Sequence, residues 1–387
     1  MWSGRAFKRH MDPKGTFKIN VLGTPNAAQT AHANCDIFWM KRALAIARGG
    51  MGYTHPNPMV GAIVVGRSGN KISQGFHARF GGPHAEDLAL KLAGEKACGA
   101  TLYVTLEPCS HFGKTPPCLE TVLSSGVKRV VIGCLDPNPK VASIAKMREA
   151  KIEVVCGVLE KSSKRLNHLF FSSLKQKSNI VAKVAIDRHG CMGHAKQRVM
   201  ISSGCSSAHV MRLRAQVDAV LVGSGTWKLD DPKLNVRGKY ADREPARVFL
   251  DPKLEFPQTA QALVCDGGPI ILVADQKHMP PPQWMKKAGV DIIELSCVDG
   301  RFRPPAIIEA LSKKNINTVL LEGGAKLFEA FDHAGLIDDW VMIHSQLAID
   351  NTIFEHISDS VNMPELRFPP NLQSVIGSGD DLIWSSF

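Results

Sequence analysis

A chain of 387 residues, 44% apolar and 21% charged, is long enough for two domains of ordinary size and has the composition of a soluble globular enzyme. No run of about 18 apolar residues offers a membrane span, Met1 to Lys18 lacks the apolar core of a secretory signal, and the ten cysteines lack the density of a disulfide scaffold, so the expected location is the cytoplasm. Forty-seven Lys and Arg against 36 Asp and Glu give a net charge of +11, but these residues are scattered with few aromatics among them, which favours phosphorylated small molecules over nucleic acid as partners.

In chain order, residues 1–34 mix Gly, Pro, Ala, Thr and basic side chains without an apolar period and read as a weakly ordered extension. From Asp36 to Arg48, the residues Ile37, Met40, Ala43, Leu44 and Ala47 recur at helical spacing, and the glycines that follow end the helix. Val60 to Val65 predicts a buried strand, Ser68 to Asn70 a turn and then a second strand. His84 to Ala93 fits a helix, Leu102 to Leu106 a strand, Cys118 to Ser124 a helix and Arg129 to Gly133 a strand. Glu153 to Val158 reads as a further strand, and Lys161 to Leu174 as a helix leading to a polar junction. This alternation is that of an α/β layered domain over residues 35–176.

Inside that domain, His84, Ala85 and Glu86 read H-A-E, Pro108 and Cys109 form a proline-cysteine pair, and a second cysteine follows at Cys118. This is the pattern of a zinc-dependent deaminase. One imidazole and two thiolates give three metal ligands and leave a fourth position for water, as catalytic zinc requires. Zinc brings the ionisation of bound water from about pH 16 toward about pH 7. Glu86 is not needed as a ligand and is placed to carry the proton from water to the departing amino group. The usual C-x-x-C is here stretched to eight intervening residues, Ser110 to Pro117, a loop stiffened by prolines that is expected to touch substrate.

In the second half, residues 177–387, Ile180 to Ile186 predicts a strand. Ala219 to Val222 predicts another, running into G-S-G-T at Gly223 to Thr226. Val319 to Leu321 runs likewise into E-G-G-A at Glu322 to Ala325. Glycines at strand ends let backbone N–H groups approach phosphate, so two such junctions suit the two ends of a dinucleotide. No G-x-G-x-x-G of the doubly wound dinucleotide fold is present.

The run G-A-T-L-Y-V-T-L-E-P-C-S-H-F-G-K-T-P-P-C ending at Cys118, with T-H-P-N-P-M-V-G-A-I-V-V at Thr54 to Val65, resembles the bifunctional deaminase/reductase family of riboflavin biosynthesis. In the second half, D-D-P-x-L-x-x-R from Asp230 to Arg237 is similar to the reductase part of that family. The resemblance runs from about Asp36 to the C-terminus. It implies an α/β chain with a cytidine-deaminase-like three-layer domain followed by a dihydrofolate-reductase-like domain. It further implies zinc and NADPH as cofactors, and a diaminopyrimidinone ribosylamino 5'-phosphate that is deaminated and then reduced at its ribose. By position it assigns Asn57, His77, His111 and Lys114 to the deaminase substrate, Lys114 to its phosphate. Lys183, Arg214, Leu234, Arg237 and Glu322 go to the reductase substrate, and Ala185, Thr226, Asp230 and Gly324 to NADPH.

This chain departs from the family at several points. Asp187, Arg188 and His189 interrupt the usual K-x-A-x-S-x-D-G, Met200 replaces a cofactor-side tryptophan, and Ser345 to Ala348 replace a proline-leucine-glycine run. Asp187 is expected to repel dinucleotide phosphates. Read from residues alone, Asn57 also suits a turn and Arg214 and Arg237 also suit surface ion pairs. Three readings therefore stand: a bifunctional enzyme, a deaminase with a non-catalytic C-terminal assembly module, and a nucleic-acid base deaminase. The sequence leaves open whether copies of the chain assemble.

Overall fold

Gly61–Val65 is apolar at every position because helices cover both faces of the strand it forms. The computed structural model describes residues 7–11, 17–21, 27–111, 116–138, 141–174, 178–194, 201–240, 243–345, 360–362, 373–378 and 381–385. A hairpin of β1 (Phe7–Met11) and β2 (Phe17–Val21) precedes the first helix, α1 (Ala27–Ala47). That helix starts at Ala27 rather than Asp36, because Ala27, Ala28, Ala31 and Ala33 extend it by backbone propensity without adding an apolar stripe. Then follow β3 (Gly61–Val65), β4 (Lys71–Phe76), α2 (Ala85–Ala93), β5 (Thr101–Leu106), α3 (Cys118–Ser124), β6 (Arg129–Cys134), α4 (Ser143–Glu149) and β7 (Glu153–Cys156).

These strands form one sheet in the order β4-β3-β5-β6-β7. The first three are antiparallel neighbours, and β5, β6 and β7 run parallel. Met40, Ala43 and Leu44 of α1 pack with Ile63 and Val65 on one face. Ala89, Leu90, Leu119 and Met147 pack with Ala62 and Val64 on the other. The three layers are those the resemblance implies.

Glycine lets the layers close. A Cβ on Gly75 of β4 would stand 2.5 Å from the Ala85 carbonyl oxygen and 2.9 Å from the Ala89 nitrogen. Because both obstacles are α2 backbone, Gly75→Ala is expected to cost about 1–3 kcal/mol and to push α2 away from the sheet, which weakens metal retention at His84. Thermal unfolding and zinc content of the purified variant check this, and an unchanged midpoint would show that α2 yields freely.

The helix expected over Lys161 to Leu174 is two helices, α5 (Glu160–Leu166) and α6 (His168–Ser173). The break is at Asn167, whose buried side chain accepts from the Met59 N–H at 2.7 Å and donates to the Met59 carbonyl at 2.8 Å. An amide satisfying both backbone groups of a loop residue holds the 51–59 loop in place at the expense of helix continuity. Residues 175–177, where the expected domain junction falls, lie outside the described residues.

The second half supplies β8 (Asn179–Ile186), β9 (Cys191–His194), α7 (Gly204–Arg214), β10 (Ala219–Val222), α8 (Ser224–Asp230), β11 (Ala246–Leu250) and α9 (Gln261–Val264). It continues with β12 (Ile270–Asp275), α10 (Gln283–Lys287), β13 (Asp291–Leu295), α11 (Pro304–Ser312), β14 (Thr318–Leu321), α12 (Ala325–His333), β15 (Asp339–Ser345), β16 (Ser360–Asn362), β17 (Gln373–Ser378) and β18 (Asp381–Ser385). Among the described residues the main sheet has the order β13-β12-β11-β10-β14-β8-β15-β18-β17. It is parallel from β13 to β15 and ends in two antiparallel strands. Apolar clusters cover both faces, giving a second three-layer unit.

The two halves are tied by polar contacts. His55 Nε2 lies 2.6 Å from Asp218 Oδ1, while Asp218 Oδ2 accepts from the Asn317 and Thr318 N–H groups. Burial pushes the Asp218 carboxyl up, but these donors outweigh it and hold the group at about 2. His168 Nε2 meets Asp339 Oδ2 at 2.9 Å, and the Tyr53 hydroxyl donates to the Lys239 carbonyl. No helix among the described residues is long and apolar enough to cross a membrane.

Candidate active sites

His84 is the residue immediately before α2, Cys118 opens α3, and Cys109 follows β5. These three segments converge because β3, flanked by β4 and β5, places the β4–α2 and β5–α3 connections at one end of the sheet. His84 Nδ1 lies 3.1 Å from Cys118 Sγ and 3.5 Å from Cys109 Sγ. All three ligand atoms fall within 4.8 Å of one another. The Cys118 amide donates to Cys109 Sγ at 3.3 Å. The Cys118 thiol and the His84 ring outweigh burial and hold Cys109 down at about 4, whereas the shared proton pushes Cys118 up. One imidazole beside two sulfurs is a donor set for zinc, and a bound cation takes the place of that shared proton.

Glu86 sits in the first turn of α2, 3% exposed. Burial pushes its carboxyl up, and among the described residues Oε2 has no protein hydrogen-bond partner. An orphaned carboxylate oxygen beside three metal-type donors fits a site built for zinc and a water.

A cavity of about 250 Å³ surrounds these groups, and Asn57, His77 and His111 line it. The Asn57 amide lies 3.3 Å from His77 Nε2, and His77 Nδ1 lies 2.9 Å from the Pro83 carbonyl. The carbonyl can only accept, so Nδ1 carries the proton and Nε2 accepts from Asn57. Burial, partly opposed by that carbonyl, lowers the His77 pKa and keeps the ring neutral. His77 therefore orients Asn57. His111 has a buried Nδ1 without a protein partner among the described residues, while Lys114 lies outside the described residues. Glu107, Asp136, Asn138 and Phe170 also line the cavity and were not expected there. The legible signal was D-P-N-P after a strand parallel to β5, since loops leaving adjacent parallel strands emerge side by side.

In the second half, Glu322 follows β14 and gathers the basic residues. Arg214 Nε donates to Glu322 Oε1 at 2.7 Å and Lys183 Nζ stands 3.4 Å from Oε2. Arg214 Nη2 donates to Glu322 Oε2 at 3.1 Å, and Nη1 donates to the Asn235 carbonyl at 2.9 Å. Burial pushes the Glu322 carboxyl up, but Arg214 and Lys183 outweigh it and hold it at about 2. The two glycine junctions are neighbours because β10 pairs with β14. The Thr226 hydroxyl lies 3.9 Å from where a Cβ on Gly324 would stand, and a Cβ on Gly225 would meet nothing within 4 Å. Open backbone of this kind fits the close approach of a dinucleotide. Ala185 is on β8, beside β14, and Asp230 ends α8. Leu234 is buried in the core at φ 53°, a strained backbone for a side-chain-bearing residue. Arg237 is exposed and does not join the Glu322 cluster among the described residues.

Asp187 does not face the cofactor junctions as a bare charge. It is buried, and its Oδ1 accepts from the His189 and Cys191 N–H groups at 2.8 Å, closing the turn between β8 and β9. The expected repulsion is thereby blunted, since the charge is spent on local amides. Ser345 is buried opposite Asp381, whose Oδ2 accepts from the Ser203 N–H and the Ser203 and Ser206 hydroxyls. Met200 and residues 346–348 lie outside the described residues.

Residues 33–134 match the cytidine and deoxycytidylate deaminase zinc-binding region, and residues 184–349 match the RibD C-terminal domain. The riboflavin biosynthesis protein RibD of Aquifex aeolicus is 39% identical over 306 residues, 78% of this chain and 84% of that protein. The chain belongs to the RibD family of riboflavin biosynthesis proteins. The RibD of Bacillus amyloliquefaciens is 35% identical over 87% of this chain and 91% of its own. Acinetobacter baumannii RibD superposes with a TM-score of 0.75 at 34% identity, covering 91% of this chain and 98% of that one. A Thermotoga maritima structure titled diaminohydroxyphosphoribosylaminopyrimidine deaminase/5-amino-6-(5-phosphoribosylamino)uracil reductase gives 0.73 at 32% identity, over 92% and 99%. As in the RibD family, the chain is a bifunctional enzyme with a zinc-dependent deaminase half and an NADPH-dependent reductase half.

Proposed function

We propose that the first half deaminates a diaminohydroxyphosphoribosylaminopyrimidine, and that the second reduces the ribosyl group of the resulting 5-amino-6-(5-phosphoribosylamino)uracil, the activities for which the Thermotoga maritima protein is named. The observation that carries this reading is the meeting of His84, Cys109 and Cys118, with buried Glu86, whose Oε2 has no protein partner among the described residues, in the cavity that His84 and Cys109 line. His84, Cys109 and Cys118 hold zinc, which when bound supplies the Lewis acidity that makes water acidic near neutral pH. Glu86 takes that proton at Oε2 and gives it to the departing amino nitrogen, a transfer suited to a carboxyl whose affinity for protons burial has raised. Asn57, held by His77, and His111 present polar atoms to the ring, and Lys114 meets the phosphate.

In the second half, Thr226, Asp230 and Gly324, with Ala185, hold NADPH, which when bound supplies the hydride. Lys183, Arg214 and Glu322 position the ribose, and Leu234 and Arg237, one in the core and the other exposed, belong to the same substrate site by the family resemblance. The deaminase domain spans residues 35–176 and the reductase domain 177–387, acting on small molecules in the cytoplasm.

Incubating the purified chain with the pyrimidine substrate tests the reading. Ammonia release without NADPH, and NADPH oxidation only after it, is the expected order; robust deamination with no oxidation of NADPH would leave the second half an assembly module. Cys109→Ser should lose most of the single zinc per chain and deamination with it, because a hydroxyl is a poor zinc ligand at neutral pH. Metal analysis showing a full equivalent in that variant would remove Cys109 from the ligand set.

A further inference from the structure

A cavity of about 670 Å³ lies between the two halves of the chain, apart from the Glu322 cluster, and its size is that of a small-molecule site. Arg48, Arg165 and Arg212 line it with His55, His168 and His209, and among the described residues no aspartate or glutamate does. Two of these histidines already have acids, His55 on Asp218 and His168 on Asp339. Arg212 is different. It is half-buried on α7, and its guanidinium meets the Met51 sulfur at 3.8 Å and His209 Nδ1 at 3.3 Å. A guanidinium only donates, so Nδ1 accepts and the ring proton sits on Nε2, which becomes a further donor. Burial, and then the Arg212 charge, hold His209 down at about 4, so the ring stays neutral in this role.

Among the described residues, this guanidinium, taken partly out of water beside a neutral ring and a thioether, lacks the anion that normally accompanies such a group. The wall supplies planar N–H forks and, among the described residues, no competing carboxylate, a chemistry matched to a phosphate dianion. The same cavity shares Asn57 and Phe170 with the zinc pocket, and α7 ends at Arg214, on Glu322. We propose that this interdomain cavity is a binding site for a phosphate monoester, additional to the phosphate subsites of the two reaction centres. Resting here on the proposed function, the monoester it meets in turnover is the deaminated phosphoribosyl product as it leaves the zinc pocket.

The test needs no turnover. Inorganic phosphate, ribose 5-phosphate and unphosphorylated ribose are titrated into the zinc-loaded full chain by calorimetry and phosphorus NMR, in the wild type, in Arg212→Gln and in Arg48→Gln. Arg48 is exposed, so its variant keeps the test alive if Arg212→Gln folds poorly. The reaction-centre subsites persist in every variant, and the difference between isotherms isolates the cavity. Ribose 5-phosphate should bind the wild type more tightly than phosphate, and ribose not at all. One class of ester site should weaken about tenfold or more in Arg212→Gln, with deaminase and reductase kcat unchanged. Superimposable isotherms in wild type and both variants would overturn the proposal, as would inorganic phosphate binding as tightly as the ester. A difference between isotherms in a chain that turns over no pyrimidine would uphold the cavity and remove the proposed function instead.

Discussion

Glu86→Gln should retain a full equivalent of zinc and lose deamination by about three orders of magnitude. The amide keeps the volume and one acceptor of the carboxyl, and α2 keeps its place because the Glu86 side chain is not what packs it against the sheet. What disappears is the ability to hold a proton at Oε2, the oxygen with no protein partner among the described residues. Without it the leaving nitrogen departs as a poor leaving group. NADPH oxidation on separately supplied deaminated intermediate should be unaffected. Ammonia release near the wild-type rate would mean that another group carries the proton, with buried Glu107 and half-buried Asp136 the other carboxyls of the same cavity.

Glu322→Gln should do the converse. Removing one partner of a buried ion cluster strands the others, at a cost of roughly 3–5 kcal/mol, and here Arg214 and Lys183 are the stranded groups. Reduction should fall about a hundredfold or more, since the two cations no longer share a fixed anchor, while deamination continues. The thermal midpoint of the second half should fall as well. The paired carboxylate is held at about 2, below its unfolded value, so its contribution to stability is complete above about pH 5 and is lost progressively as pH falls toward 2. The variant should therefore lose the part of the acid transition that lies in that window. A variant that reduces at the wild-type rate would show the cluster to be structural only.

How much of this was legible in the sequence depended on how local each feature is. His84 and Glu86 are two residues apart, and the ligand chemistry of zinc admits few residue types, so a candidate donor set could be read before any fold was known. Strands such as Gly61–Val65 and Ala219–Val222 were legible because covering both faces of a sheet demands apolar residues at every position. The second structural half was harder to read. Arg214 and Glu322 are 108 residues apart, and nothing in the spacing says that one will neutralise the other.

By itself, then, the sequence determined the candidate metal donors, the candidate proton carrier, the α/β layering and the two glycine junctions, each encoded by a few neighbouring residues and a short-range physical requirement. Tertiary structure alone decided the rest. Pairing of β10 with β14 put the glycine junctions side by side. The turn amides of His189 and Cys191 took up the charge of Asp187. Asn167 broke an otherwise continuous helix to hold Met59, and the docking of α7 against the 51–59 loop left Arg212 facing a cavity that no acid among the described residues lines. The physical reason is common to all four. Hydrophobic period records which face of an element is buried, but the partner that meets a polar side chain is chosen when distant elements pack, because only then must each buried charge and amide find its hydrogen bonds.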